Sequence, residues 1–482
     1  MVSFKRFALN LVIILLILQS AGADEPEDIM KSVKAGDIFE LNKILASPSM
    51  EGRLSGTEGY NKAAKLVASK FKEWGLKPVY GGDFLQPFEV SYNEMRKTHF
   101  SLLLPAQGEE GEPQEMKMVI YEDFCPTLYS GFGEVKSEVV FAGFGITASE
   151  LGWDDYRNVD VKGKIIAILR GSPEIKGKDF SKYSERGIKL QTAARHEAAG
   201  IILINRAVVS GSGTYREGIP IVMVGDKVTE LLFRPKGYEV QTVKAMLRDG
   251  HPLSFATRVE AVIQTLGTHH DRAITYNVVG MVEGSDPVLR DEYMIFGGHL
   301  DHLGPWPVLH PGASDNASGS AVVMGLAHAF SRLKKKPKRS VIFALFGAEE
   351  VGLLGSKHVV ANLPEFPSKP IMMINHDMNG VGSSLHVSGG KTYPELYELL
   401  LKVNEKYKII SNISAGEISM IGGNSDYAPF IKKGIPAYSN WVRGGQRYGV
   451  HTAEDSIYII TPKVMEDIVR LYFMAGCQFT NR

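Results

Sequence analysis

Cysteine is almost absent from this chain. Cys125 and Cys477 are the only two among 482 residues, which excludes a disulfide scaffold and a thiolate zinc cluster. Their spacing does not say whether they pair. Any metal site must therefore be built from His, Asp and Glu. Net charge is absent too, since 54 basic residues balance 54 acidic ones. No summed field draws the chain to nucleic acid or to an anionic membrane, and no basic block is interleaved with aromatics. Beyond the amino-terminal leader, no apolar run is long enough to span a bilayer.

The leader is "MVSFKRFALNLVIILLILQSAGADE". Lys5 and Arg6 precede an apolar run from Phe7 to Leu18, closed by the small residues Ala21-Gly22-Ala23. A basic start, a short apolar stretch and a small-x-small site read as a secretory signal peptide over 1–23. Cleavage there leaves a mature chain starting at Asp24, secreted or periplasmic and free of the membrane. No cysteine follows the run, so a lipid anchor is not expected.

With 44% apolar and 22% charged residues, the rest reads as a globular protein of two or three domains. Residues Glu25 to Ser47 read as helical. Ala63, Ala64, Val67, Ala68, Phe71 and Trp74 recur at helical spacing before Gly75 and Pro78 stop the pattern. Residues 116–265 differ in texture: short β-rich runs such as "KSEVVFAGFGI", "KGKIIAILRG", "AAGIILIN" and "IPIVMVG" are separated by turn residues. They read as a β-rich module inserted into a larger domain formed by 24–115 and 266–482. His196-Glu197 opens like the zinc-helix motif H-E-x-x-H, but Gly200 stands where the second histidine belongs. The insert is expected to shape access to a site elsewhere.

From Ala273 onward, strand-like and helix-like stretches alternate. "EYMIFGGH", "RSVIFALFGAEE", "PIMMINHDM" and "GIPAYSNW" are near-continuous apolar runs, as strands covered on both faces must be. The pattern predicts an α/β domain with a largely parallel sheet flanked by helices. Ligand sites in such sheets lie beyond the carboxyl ends of the strands, where this sequence places its titratable clusters. The runs lead into His299-Leu300-Asp301-His302, Glu349-Glu350, His376-Asp377 and, after a loop, His451. Asp315 lies in a glycine-rich loop ahead of a helix.

Two adjacent acids at the end of a buried strand repel one another unless a cation is near or a proton is shared. Two divalent ions about 3.5–4 Å apart, as in co-catalytic pairs, resolve the conflict. His299 and Asp377 could hold one, Glu350 and His451 the other, and Asp315 could bridge them. Glu349 is then left as general base, and Asp301 is expected to hydrogen-bond the second ring nitrogen of His299.

The combination "GGHLDHLG…PGASDNASGSA…FGAEEVGLLGS…NHDM…SDYAPF…GIPA…HTAEDS" resembles the di-zinc exopeptidase family of secreted and vacuolar aminopeptidases and glutamate carboxypeptidases. The early "EGRLSGTEGYNKAAKLVASKFKEWGLKP" is similar to that family's amino-terminal segment, and the insert is similar to a protease-associated domain. The resemblance implies the zinc-exopeptidase fold, two zinc ions per chain and peptide substrates. It implies zinc ligands at His299, Asp315, Glu350, Asp377 and His451, the base at Glu349 and an orienting acid at Asp301. Many relatives place a tyrosine before the last histidine, where Val450 stands here; either Tyr448 substitutes as oxyanion donor or the metals alone suffice. Asp426 and Tyr427 are expected to border the substrate pocket. The reading is an aminopeptidase. A carboxypeptidase using Arg443 and Arg447, a one-zinc glutaminyl cyclase, and a binding protein without activity are the alternatives.

Overall fold

The computed structural model describes residues 25–106, 113–205, 217–418, 423, 425–445 and 449–482. The leader therefore lies outside the described residues, as do Arg447 and Tyr448. No helix among the described residues is long and apolar enough to cross a membrane.

Three helices open the chain: α1 (Pro26–Ser32), α2 (Ala35–Leu45) and α3 (Glu58–Glu73). The expected 25–47 helix is two helices, because the backbone is extended at Val33 and Lys34. On α3, Tyr60, Ala63, Ala64, Val67 and Phe71 bury one face at the predicted spacing.

A long strand, β1 (Leu85–Leu104), leads into the insert. There β2 (Gly133–Ala142), β3 (Ile165–Leu169), β4 (Gly200–Ile204) and β5 (Ile221–Val224) lie parallel in that order, with helix α4 (Arg186–Arg195) between β3 and β4. Strand β6 (Ser254–Val282) runs back along β1 from the pair Glu260–Leu103 to the pair Val278–Leu85. Phe100 and Leu102 of β1 pack with Val139 and Phe141 of β2 in the insert's core. The expected divisions at 115/116 and 265/266 fall inside paired strands, Gln114–Lys117 and β6.

The remainder is the α/β domain: β7 (Glu292–His299), α5 (Gly319–Ser331), β8 (Ser340–Phe346), β9 (Lys369–His376), β10 (Gly382–Ser388), α6 (Pro394–Tyr407), β11 (Ile413–Gly416), α7 (Tyr427–Lys432), β12 (Ala437–Gly444) and α8 (Pro462–Thr480). Its sheet runs β11-β10-β12-β9-β7-β8-β6. The four central strands β12, β9, β7 and β8 are parallel, while β6 and β10 pair antiparallel to their neighbours β8 and β12. Alternate residues of β7 serve opposite faces. Met294 and Phe296 join the core under α2, α3, α5 and α8, whereas Tyr293 and Ile295 join the cluster under α7. Burying side chains of this size contributes about 1.5–3 kcal/mol each. The strands are thus fixed from both sides, and their carboxyl ends form a rigid rim.

Candidate active site

The site is assembled along that rim. His299 is the last residue of β7, in register with Phe346 at the end of β8. Beyond Phe346 the chain turns through Gly347 and Ala348, the latter at φ +57°, and presents Glu349 and Glu350. Asp377 follows β9 directly. Asp315 lies in the loop before α5. That loop turns at Gly312 (φ +56°), and it closes so tightly that a methyl group on Gly319 would stand 2.2 Å from the His376 carbonyl. Met378 and His451 also hold positive φ, at +53° and +62°. Left-handed backbone at three non-glycine positions in or beside the cluster is strain of the kind concentrated at functional sites.

The geometry is that of two overlapping donor sets. One Asp315 oxygen lies 3.2 Å from His299 Nε2 and the other 3.0 Å from His451 Nε2. His299 Nε2 is 3.6 Å from Asp377 Oδ1, and His451 Nε2 is 3.4 Å from Glu350 Oε2. Donor atoms of His299, Asp315 and Glu350 lie within 4.8 Å of one another, as do those of His299, Glu349 and Asp377. His299, Asp315 and Glu350 are buried, whereas Glu349, Asp377 and His451 are half-buried and form the open side.

The charges in this cluster are arranged around a missing positive balance. Burial disfavours the imidazolium of His299, yet the Glu349, Asp315 and Asp377 carboxylates overrule it and hold the ring well above the ordinary histidine range. Burial likewise opposes charge on His451, and Glu350 and Asp315 raise it. Burial would raise Glu350, but His451 and His302 bring it down to about 2. Glu349 goes the other way: burial, reinforced by Glu350, Asp426 and Asp377, lifts it well above the carboxylate range against the pull of His299. Protonating one acid and charging two histidines is how so many carboxylates balance themselves. A divalent cation does the same, and nitrogen and oxygen donors at these spacings suit zinc.

Residues 277–475, which contain every donor just described, match the family model described as Peptidase family M28. The chain carries an M28 peptidase domain. Residues 135–232 match the PA domain. A probable glutamate carboxypeptidase of Arthroderma benhamiae is 30% identical over 204 residues, which cover 38% of this chain and 26% of that protein. An aminopeptidase of Pseudomonas aeruginosa (strain UCBPP-PA14) is 27% identical over 457 residues, covering 89% of this chain and 74% of that one. The chain therefore spans about a quarter of the first relative's length and three quarters of the second's. Among solved structures, the aminopeptidase from Aneurinibacillus sp. strain AM-1 shares the fold, with a TM-score of 0.66 at 23% identity, over 94% of this chain and 96% of that one.

Within the M28 domain, the structure changes three expectations. The Asp301 carboxylate does not hydrogen-bond the His299 ring, which stands 3.8 Å away at Nδ1 and meets the Asp301 carbonyl instead at 3.2 Å. Its two oxygens accept from the backbone N–H groups of Glu349 (3.1 Å) and Glu350 (3.3 Å), so Asp301 fixes the turn that carries both glutamates. Asp426 is not exposed at the open side of the site. It is fully buried at the start of α7, and burial pushes it up to about 7. Tyr427 packs inward with Phe430 and Ile431, because α7 lies flat against the sheet. Tyr448 lies outside the described residues. Arg443 is exposed, with its guanidinium 4.5 Å from the centre of the Trp441 ring.

Several positioning residues of the M28 domain lie inside the quoted motifs, but the sequence assigned them no role. Ser425 donates to Asp377 Oδ2 at 2.7 Å and accepts from Asn375. Asp455 accepts from the N–H groups of Ser314 (2.7 Å) and Asp315 (2.9 Å), holding the bridging loop. Asn316 donates to the carbonyls of His299 and His376, tying two strand ends together. His302 Nδ1 is 3.0 Å from Glu350 Oε1. Tyr121, from the insert, reaches His310 at 2.8 Å. Burial keeps that imidazole neutral, its pKa brought down to about 4, so the hydroxyl donates to Nε2 while Nδ1–H meets the Gly304 carbonyl.

Arg53 is wholly buried beneath the site. Its guanidinium donates to the carbonyls of Leu300 (2.8 Å), Leu45 (2.6 Å), Pro311 (2.8 Å) and Gly312 (2.9 Å). Burial lowers its pKa to about 10, while Asp455 and Asp301 support the charge. It therefore stays ionised at neutral pH and fastens the opening segment to the stretches that carry the His299 and Asp315 donors. Arg53→Met leaves four carbonyls unmet and removes a buried positive charge from this acidic interior. We expect it to cost about 3–5 kcal/mol, read as a lower denaturation midpoint in urea with the slope unchanged.

Proposed function

We propose that this chain is a secreted, two-zinc aminopeptidase that releases single residues from unblocked peptide amino termini. The observation that carries the reading is the Asp315 carboxylate, with one oxygen on His299 and the other on His451. His299 and Asp377 would hold one zinc ion, His451 and Glu350 the other, and Asp315 both. Bound there, zinc supplies Lewis-acid charge that acidifies water and polarises a carbonyl.

Glu349, half-exposed on the open side, is the group left for the proton. It accepts a proton from the attacking water as the new C–O bond forms, and delivers it to the departing amine as the C–N bond breaks. Asp301 serves this transfer through the backbone, by holding the N–H groups of both glutamates. In this reading 1–23 is the leader, 24–115 and 266–482 form the catalytic domain, and 116–265 form the insert, which shapes access to the site.

The substrate end follows from charge. A free ammonium suits acids, whereas a free carboxylate needs a basic cluster. The open side of the described site presents Glu349 and Asp377; Arg53 is buried beneath it with its guanidinium taken up by backbone carbonyls, and Arg443 lies over an indole. Acetylating a peptide's amine should abolish cleavage, and amidating its far carboxyl should not. The carboxypeptidase named among the relatives is the competing activity, and the reverse pattern in a mass-spectrometric digest would establish it.

A further inference from the structure

The insert holds a cavity of its own, of about 190 Å³. It opens where β3 and β4 end and where α4 begins. Its polar lining is Arg170, Ser184, Arg186, Lys189 and Asn205, and no carboxylate is among its described residues. Lys189 is only 4% exposed. Its Nζ donates to the Leu169 carbonyl at 3.0 Å and to the Gly171 carbonyl, and lies 5.5 Å from the centre of the Phe144 ring. Among the described residues it makes no ion pair. A buried ammonium held only by carbonyls and a ring is costly unless an anion reaches it. Burial accordingly brings its pKa down to about 7, with Asp155 the acid that partly restores it. Arg170 and the positive end of the ten-residue helix α4 face the same space.

We propose that this cavity is a carboxylate site, which takes the free carboxyl end of an amino acid or short peptide. The carboxylate meets Lys189 and Arg170, and the apolar part of the ligand rests on Ile168, Leu203 and Met223. The volume is below the roughly 300–1,000 Å³ of drug-sized sites, so one residue enters and not an extended chain. Nothing in this assignment uses the metal-site residues, and its failure would leave the aminopeptidase reading untouched.

The test is calorimetric titration of the full-length protein with N-acetylleucine, its carboxyl-terminal amide and inorganic phosphate. The same titrations are made on Lys189→Met and Arg170→Ala. N-acetylleucine should bind and the amide should not. Each substitution should weaken binding by about tenfold or more, a loss of about 1.4 kcal/mol, with turnover of an unblocked peptide amide unchanged. Arg170→Ala leaves the carbonyl bonds of Lys189 intact, so it serves even where Lys189→Met unfolds the insert. Equal binding of acid and amide, binding indifferent to Arg170→Ala, or no binding at millimolar ligand would overturn the proposal. Tighter binding of phosphate than of carboxylate would overturn the assigned class.

Discussion

Glu349→Gln is expected to bind zinc as the native chain does and to lose about 10²–10⁴-fold in kcat. The amide keeps the size of the side chain and the two backbone hydrogen bonds to Asp301, because those come from the N–H groups of 349 and 350. What it removes is the group that accepts and returns a proton. KM should change little, since ground-state binding is not where a general base acts. Glu350→Ala, one residue away, should instead release metal, since the Glu350 carboxylate lies 3.4 Å from His451 Nε2. Metal content and turnover measured on both variants separate the two roles. Near-normal turnover in Glu349→Gln would remove it from the proton path.

Asp315→Asn should be the most damaging change to the metal site. Asp315 is the carboxylate that meets both imidazoles, and its charge is stabilised by His299 and His451 against the cost of burial. The neutral amide cannot replace a shared anionic ligand, so both ions should be lost on dialysis and activity with them. A second readout does not need metal. Asp315 raises both histidines, so in metal-free protein Asp315→Asn should shift both imidazole titrations to lower pH, followed by NMR. Zinc content equal to that of the native chain would exclude Asp315 as a bridging ligand.

The candidate donors were legible because His299, Glu350 and Asp377 lie at or just past the ends of strands that the sequence announces, with Asp315 and His451 in loops marked by their motifs. β7, β8, β9 and β12 read as near-continuous apolar runs, so their order and approximate ends could be placed: β7 ends at His299 as expected, whereas β8 stops at Phe346, short of the two glutamates. β1 and β6 were not legible. They are paired along exposed stretches, and their polar alternation, with the Arg272 side chain ion-paired to Glu89 of the neighbouring strand, gives no apolar run to find. The residues that position the donors were missed for a different reason. Arg53, Asp455 and Ser425 act on backbone groups or single oxygens that only the folded chain brings near them. Asp426 shows the same limit from the other side. An acid in a polar-looking loop reads as a pocket residue, but the helix that begins beside it turns the segment inward.

The central claim is a shared two-metal site, and its most direct test is to titrate metal-stripped protein with zinc while following bound ion and peptide turnover together. Both should plateau at two ions per chain, and Glu350→Ala should lower the ratio. A native chain that reaches full activity and saturates at one ion would contradict the account.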